Sequence, residues 1–191
     1  MSVEVWWSSL ASADRDLLRL LDAGERARVE SLERSADRGR FLISAAMLRV
    51  AVAAHLEIAP VEVLVDRTCA ECGGPHGRPR IVSHGTPAPS VSVSHSGLLA
   101  VVALAPRGPV GVDVQRLDDL DDPVDGRAWA TREALFKAGT PAPGDVAVSE
   151  LRPPLPGYVA VVVVPGGQDG APRITHWPRP IARLSASGGG R

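Results

Sequence analysis

Between Ser90 and Gln115 the chain reads SVSVSHSGLLAVVALAPRGPVGVDVQ, three extended segments in immediate succession. Ser90–Ser94 alternates serine with valine, the period of a strand with one apolar face. Leu98–Ala105 is a continuous apolar run, as in a strand covered on both faces. Val110–Gln115 is a third short strand. Upstream, Asp37–Glu57 places Phe41, Ala45, Leu48, Val52 and Leu56 at spacings of three and four, which is one apolar face of a helix. Asp37 suits the N-terminal end of the helix dipole, and Pro60 lies beyond its end.

The flanks extend this pattern. Val3–Trp7 reads as a strand, Ala13–Asp22 and Glu25–Arg34 as short helices, and Val61–Val65 as a strand. Thr68–Pro79 reads as a Gly-, Pro- and Cys-rich loop. Trp129–Ala138 is a helix; Val146–Leu151, Tyr158–Val164 and Arg173–Trp177 read as a closing antiparallel set. Helix then strands, followed by helix then strands, predicts an α+β fold of two similar α/β lobes in one chain. The boundaries predicted are an N-terminal lobe over 1–106, a C-terminal lobe over 107–184 and a flexible tail over 185–191. A length of 191 residues accommodates one compact unit or two small lobes, and 45% hydrophobic content argues against a disordered chain. No apolar run approaches the roughly 18–20 residues that span a bilayer, so the expectation is a soluble, cytoplasmic chain without membrane contact. A net charge of −1 gives no reason to expect nucleic-acid binding.

Four segments could carry chemistry. In VGVDVQ, Asp113 and Gln115 are two apart and project from one face of a strand, an oxygen pair suited to a hard divalent cation. In WATREALFKAG, Trp129, Glu133 and Lys137 form one helical stripe. Lys137 is the only lysine beside 20 arginines; Lys is a compact charge that can exchange a proton, whereas Arg is a permanently charged fork. In VSVSHSG, Ser94 and His95 precede a glycine, and hydroxyl, imidazole and open backbone N–H groups all donate to phosphate. The absence of a GxSxG elbow argues against a Ser/His hydrolase. GRPR holds Arg78 in a loop. Arginines at 26, 28, 34, 38, 40 and 49 form a band broken by acids, read mostly as solvated surface with a few ligands.

The order GRP, VSVSHSG, VGVDVQ, WxxxExxxK resembles the larger, pseudo-dimeric 4′-phosphopantetheinyl transferases. Those enzymes move the phosphopantetheine arm of coenzyme A onto a serine of an acyl or peptidyl carrier protein in polyketide, nonribosomal-peptide or fatty-acid synthesis. The resemblance, running from about Arg26 to about Leu151, implies Mg2+ on Asp113 and Glu133, with Gln115 as a third ligand. It implies Glu133 and Lys137 as catalytic residues. It implies coenzyme A contacts from Arg28, Arg40, Arg78, Ser94, His95 and Lys137. The partners implied are coenzyme A and an apo carrier protein, with one chain forming a whole site as a monomer.

Two departures qualify this expectation. Gln115 stands where many relatives carry Glu, which removes a negative charge from the metal site. Only 13 residues, Arg116–Ala128, separate Gln115 from Trp129, where relatives carry a longer helical stretch. This segment is read as a loop whose five aspartates would repel an acidic carrier. The second reading is therefore a non-catalytic or repurposed member that binds coenzyme A or a related nucleotide. Cys69 and Cys72 form a CxxC with His76 and His84 downstream; zinc is one candidate ligand, but the usual finger spacing is absent. The pair is read as part of the loop before Arg78.

Overall fold

The computed structural model describes residues 2–83, 87–120, 125–139, 146–166 and 170–178. The strands are β1 (Glu4–Ser9), β2 (Leu64–Asp66), β3 (Arg80–Val82), β4 (Ser90–Ser96), β5 (Leu99–Ala105), β6 (Gly111–Arg116), β7 (Val146–Leu151), β8 (Tyr158–Pro165) and β9 (Arg173–His176). The helices are α1 (Ala23–Ser31), α2 (Ser35–Leu56) and α3 (Gly126–Ala138). The fold is α+β, as the alternation of elements predicts.

Two sheets face one another, and each carries a helix on its outer side. The first has the order β4-β5-β1-β9 and the second β6-β8-β7; β2 and β3 form a separate antiparallel ribbon. On the first sheet, Trp6, Ala100, Val102 and Leu104 pack against Ile43, Met47, Leu48 and Val52 of α2. The opposite face, with Val5, Trp7, Leu99, Val101 and Ala103, meets Val112, Val114, Ala160 and Val162 of the second sheet. Beyond that, Val161 and Val163 pack on Ala130, Ala134 and Leu135 of α3. Strand β5 is buried at every position because it has an apolar layer on each side, which explains its uninterrupted LAVVALA.

The junction of the sheets explains the alternating serines. The backbone N–H groups of Val112 and Arg116 donate to Ser92 Oγ and Ser96 Oγ at 3.0 Å, and that of Val114 donates to Ser94 Oγ at 3.3 Å. The hydroxyls of β4 thus satisfy the edge of β6 that faces away from β8, replacing a strand partner. On the other side of β6, Gly111 lies under α3. A Cβ at that position would collide with the Ala134 carbonyl, so only glycine lets the helix seat this closely.

Several expectations are corrected. Arg173–His176 does not close an antiparallel set; it runs parallel to β1, with Val5 opposite Ile174 and Trp7 opposite His176. Strand β8 is already paired on both edges, by β6 and β7, so the open edge lies on β1. The first short helix is a 3-10 segment, Arg15–Leu20. Pro60–Glu62 is a 3-10 turn rather than the start of a strand; Pro60 opens it and the Glu62 carboxylate accepts the Ala59 N–H at 2.8 Å. Contrary to the expectation that no apolar run approaches bilayer-spanning length, α2 is by length and composition long and apolar enough to cross a membrane, yet most of its apolar stretch is buried inside this fold. The tail 185–191 and His84 lie outside the described residues.

Candidate functional site

The second sheet aims Asp113 into the cleft between α2, β4 and α3. Strand alternation buries Val112 and Val114 on one side and leaves Asp113 on the other, 1% exposed. Asp113 Oδ1 accepts from Ser94 Oγ at 2.7 Å and from Lys137 Nζ at 2.6 Å; Asp113 Oδ2 accepts from Gln115 Nε2 at 2.9 Å. Lys137 also reaches the Val112 carbonyl at 3.3 Å. The single lysine of the chain is therefore the counter-ion of the most buried carboxylate among the described residues. A buried ion pair broken from one side costs about 3–5 kcal/mol; Lys137 keeps 23% of its side chain exposed, so the cost here falls below that range.

A cavity of about 350 Å³ opens over this pair, lined by Phe41, Ser44 and Ala45 of α2, Ser94 and His95 of β4, Asp113 and Gln115 of β6, and Glu133 and Lys137 of α3. Helical spacing of four brings Glu133 and Lys137 onto one wall. Trp129, one turn earlier, does not line the cavity and stacks instead beneath Arg132, 5.5 Å from the ring centre. Glu133 makes no hydrogen bond or ion pair among the described residues, so its carboxylate is the uncommitted anion of the site. His95 opens to the cavity, and its pKa is lowered chiefly by loss of solvation, then by the charges of Arg40 and Lys137. A bound polyanion would offset the contributions of Arg40 and Lys137 and raise the pKa again.

The arginines divide. Arg28 lines an adjoining cavity of about 210 Å³ that shares Phe41 and Arg67 with the first. Arg78 lines a third, which shares Pro79 and Lys137 with it. There Arg78 donates to the Phe136 carbonyl at 2.8 Å and lies over the Phe136 ring. Arg40 does not line the central cavity; it donates to the Gly97 carbonyl at 2.9 Å and pairs with Asp37 at 2.6 Å. Arg49, read within a solvated band, is 2% exposed and pairs with Asp22 and Glu25 beneath α1.

Three cavity residues escaped the sequence reading: Phe41, Ser44 and Arg67. Phe41 was placed on the apolar face of the helix, correctly, but that face runs out from under the sheet at its N-terminal end. Ser44 was visible only as a lone hydroxyl in FLISAAML. Its Oγ is buried without a hydrogen-bond partner, and the residue lines the cavity. An orphaned buried hydroxyl is costly, and Trp7 Nε1 and Ser8 Oγ, away from the cavity, are left in the same state. Arg67 stacks over Phe41 at 5.5 Å and reaches Glu25 at 3.3 Å. Conversely Ser94, expected to bind phosphate, is turned inward to Asp113 and Val114.

The oxygen donors Asp113, Glu133 and Gln115 that line the cavity form a hard-ligand set, appropriate to Mg2+ rather than to a soft metal. The Gln115 carbonyl oxygen makes no hydrogen bond among the described residues, whereas Asp113 Oδ2 already accepts from the Gln115 amide, so a cation on Asp113 would share or displace that contact.

The chain is similar to a protein of Synechocystis sp. named "Putative 4′-phosphopantetheinyl transferase": the two are 32% identical over 116 residues, 59% of this chain and 44% of that protein. The chain thus spans less than half the length of this relative. No protein-family model matches it.

Proposed function

We propose that this relative of the 4′-phosphopantetheinyl transferases moves the phosphopantetheine arm of coenzyme A onto a carrier-protein serine, with Mg2+. The observation that carries the reading is the convergence of Asp113, Gln115, Glu133, Lys137 and His95 on one cavity from three separate elements. Flanking that cavity, Arg28, Arg67 and Arg78 supply positive charge toward a long polyanion.

The chemistry needs positioning and charge neutralisation more than covalent help. Asp113, Glu133 and the Gln115 oxygen would hold Mg2+, which when bound neutralises a pyrophosphate and stabilises its leaving half. Lys137, 2.6 Å from Asp113, is close enough to trade that carboxylate for a phosphate oxygen. His95 lines the same space as a further polar group. The carrier serine oxygen forms its bond to phosphorus as the bond to the bridging pyrophosphate oxygen breaks. The serine proton passes to the Glu133 carboxylate oxygen not turned to the cation, and 3′,5′-ADP departs with the electron pair. One negative charge of the short 116–128 segment is offset within it, since Arg116 is shared between Asp118 at 2.9 Å and Asp119 at 3.7 Å. Repulsion of an acidic carrier is reduced accordingly.

One observation favours the second reading, coenzyme A binding without transfer: both oxygens of Asp113 are already hydrogen-bonded within the chain. A single experiment separates the two. The protein is incubated with coenzyme A, Mg2+ and a panel of apo carrier proteins, and each carrier is weighed by mass spectrometry. Transfer predicts a carrier heavier by the phosphopantetheine arm. Micromolar coenzyme A binding with no modified carrier selects the second reading, and no binding overturns both. Lys137→Arg should lower turnover at least about tenfold with charge retained, because the guanidinium fork cannot occupy the place of a compact ammonium; wild-type turnover would remove Lys137 from the mechanism.

A further inference from the structure

The loop between β2 and β3 gathers three metal-ligating side chains at one point, away from the cavity described above. Donor atoms of Cys69, Cys72 and His76 all lie within 4.8 Å of one another, and Cys72 Sγ is 2.9 Å from His76 Nε2. Around a tetrahedral Zn2+, with bonds of about 2.3 Å to sulfur and 2.0–2.1 Å to nitrogen, donor atoms sit roughly 3.5–3.8 Å apart. Cys69 is half-buried and Cys72 and His76 are exposed, and these side chains need move only about 1 Å to enclose an ion.

The backbone is folded around this point. The Cys69 N–H donates to the Gly74 carbonyl at 2.8 Å, and the Gly73 N–H to the Cys69 carbonyl at 2.9 Å, closing a tight knuckle. Gly73 has φ +71, the left-handed turn that brings the chain back toward Cys69. A Cβ on Gly74 would stand 3.1 Å from the His76 ring and 3.4 Å from Cys72 Sγ, so glycine there leaves room for imidazole and thiol to meet. Backbone N–H groups of Cys72 and Glu71 point at the Cys69 sulfur.

Two thiolates and an imidazole form a soft-to-borderline set, which suits Zn2+ and not the hard cation expected at Asp113. We propose that Cys69, Cys72 and His76 bind one Zn2+, with water or an outside donor in the fourth position. The ion braces the loop that presents Arg78. Thr68, Gly73 and Pro75 of the same loop form part of the wall of the cavity that holds Arg28, so the knuckle would set the shape of that cavity as well. The two thiolates cancel the charge of the ion, and binding releases their protons.

The test uses the whole chain, purified without a metal-affinity tag under reducing conditions, dialysed against trace Zn2+ and then against buffer alone. Elemental analysis should find one zinc per chain. Co2+ added to the metal-stripped protein should give the intense visible bands of a tetrahedral thiolate site. Cys72→Ser and His76→Ala should each weaken binding by more than about tenfold while the far-ultraviolet circular dichroism is unchanged. His76→Cys should restore Co2+ binding with a stronger sulfur-to-metal band, an outcome that a general loss of folding cannot produce. Wild-type protein that retains no zinc under these conditions, or variants that retain it at wild-type stoichiometry, would overturn the proposal. Neither readout depends on coenzyme A or on transfer.

Discussion

Asp113 and His95 show how far single residues could be read. The strand parity that exposes Asp113 on a different face from Val112 is a local rule, so its place in a polar cleft was legible. The partnership with Lys137 was not, because it joins β6 to α3 across sequence-distant elements. His95 was legible as a polar residue at a strand end, but its depressed pKa arises from crowding and from two cations, Arg40 and Lys137, brought in by α2 and α3. This depression fixes a pH dependence. The unfolded state carries an ordinary histidine near 6.5, while the folded state holds a lower value. Above 6.5 both states are neutral and the full stability is present. As pH falls through 6.5 toward the folded value, the unfolded state takes up its proton first, and stability is lost. Urea unfolding midpoints measured between pH 8 and 5 should therefore fall less steeply for His95→Asn than for the native chain. Equal slopes would show that His95 is not a source of the loss. A bound pyrophosphate should act in the opposite direction, raising the His95 pKa, with the shift read from its ring proton resonances.

At the scale of elements, α2, α3 and the strands of both sheets were legible because their periods are intrinsic to the backbone: three or four for helices, two for half-covered strands. The errors fell where tertiary context decides. Strand β9 has no local signal for its partner, and its pairing follows from which edges the earlier strands leave open. Ser94 of β4 reads as a phosphate ligand because a hydroxyl looks the same whether it serves a ligand or a neighbouring strand's N–H. Gly111 was part of the recognised VGVDVQ, yet its role emerges only from α3 crossing above it. Gly111→Ala would drive the new methyl into the Ala134 carbonyl and push α3 outward. Overpacking of this kind costs about 1–3 kcal/mol, more when backbone must move. Because α3 also carries Glu133 and Lys137, the substitution should lower the thermal midpoint and weaken coenzyme A binding together. A variant with a lowered midpoint and native binding would mean that α3 shifts without disturbing the cavity wall.

For the whole molecule, the predicted boundary near residue 106 separates chain segments whose surfaces are shared. The apolar cluster between the sheets draws Val5, Trp7, Leu99 and Val101 from one side and Val112, Val114, Ala160 and Val162 from the other. Strand β9 comes from the C-terminal half but hydrogen-bonds to β1. The hydroxyls of Ser92, Ser94 and Ser96 complete the edge of β6. Neither half can bury its inner face alone, so opening the junction exposes an apolar surface on both sheets at once. The chain should accordingly unfold in one cooperative transition. Tryptophan fluorescence reports on both halves, with Trp6 and Trp7 in β1 and Trp129 in α3. Its urea transition should coincide with that of far-ultraviolet circular dichroism, which follows backbone structure throughout. The isolated fragment 1–106 should fail to give a dispersed amide spectrum, since β5 loses the layer covering its Val101 face and β1 loses β9 from its edge. Two resolved transitions, or a fragment 1–106 that folds alone, would show instead that the sheet junction is a docking contact between independent lobes.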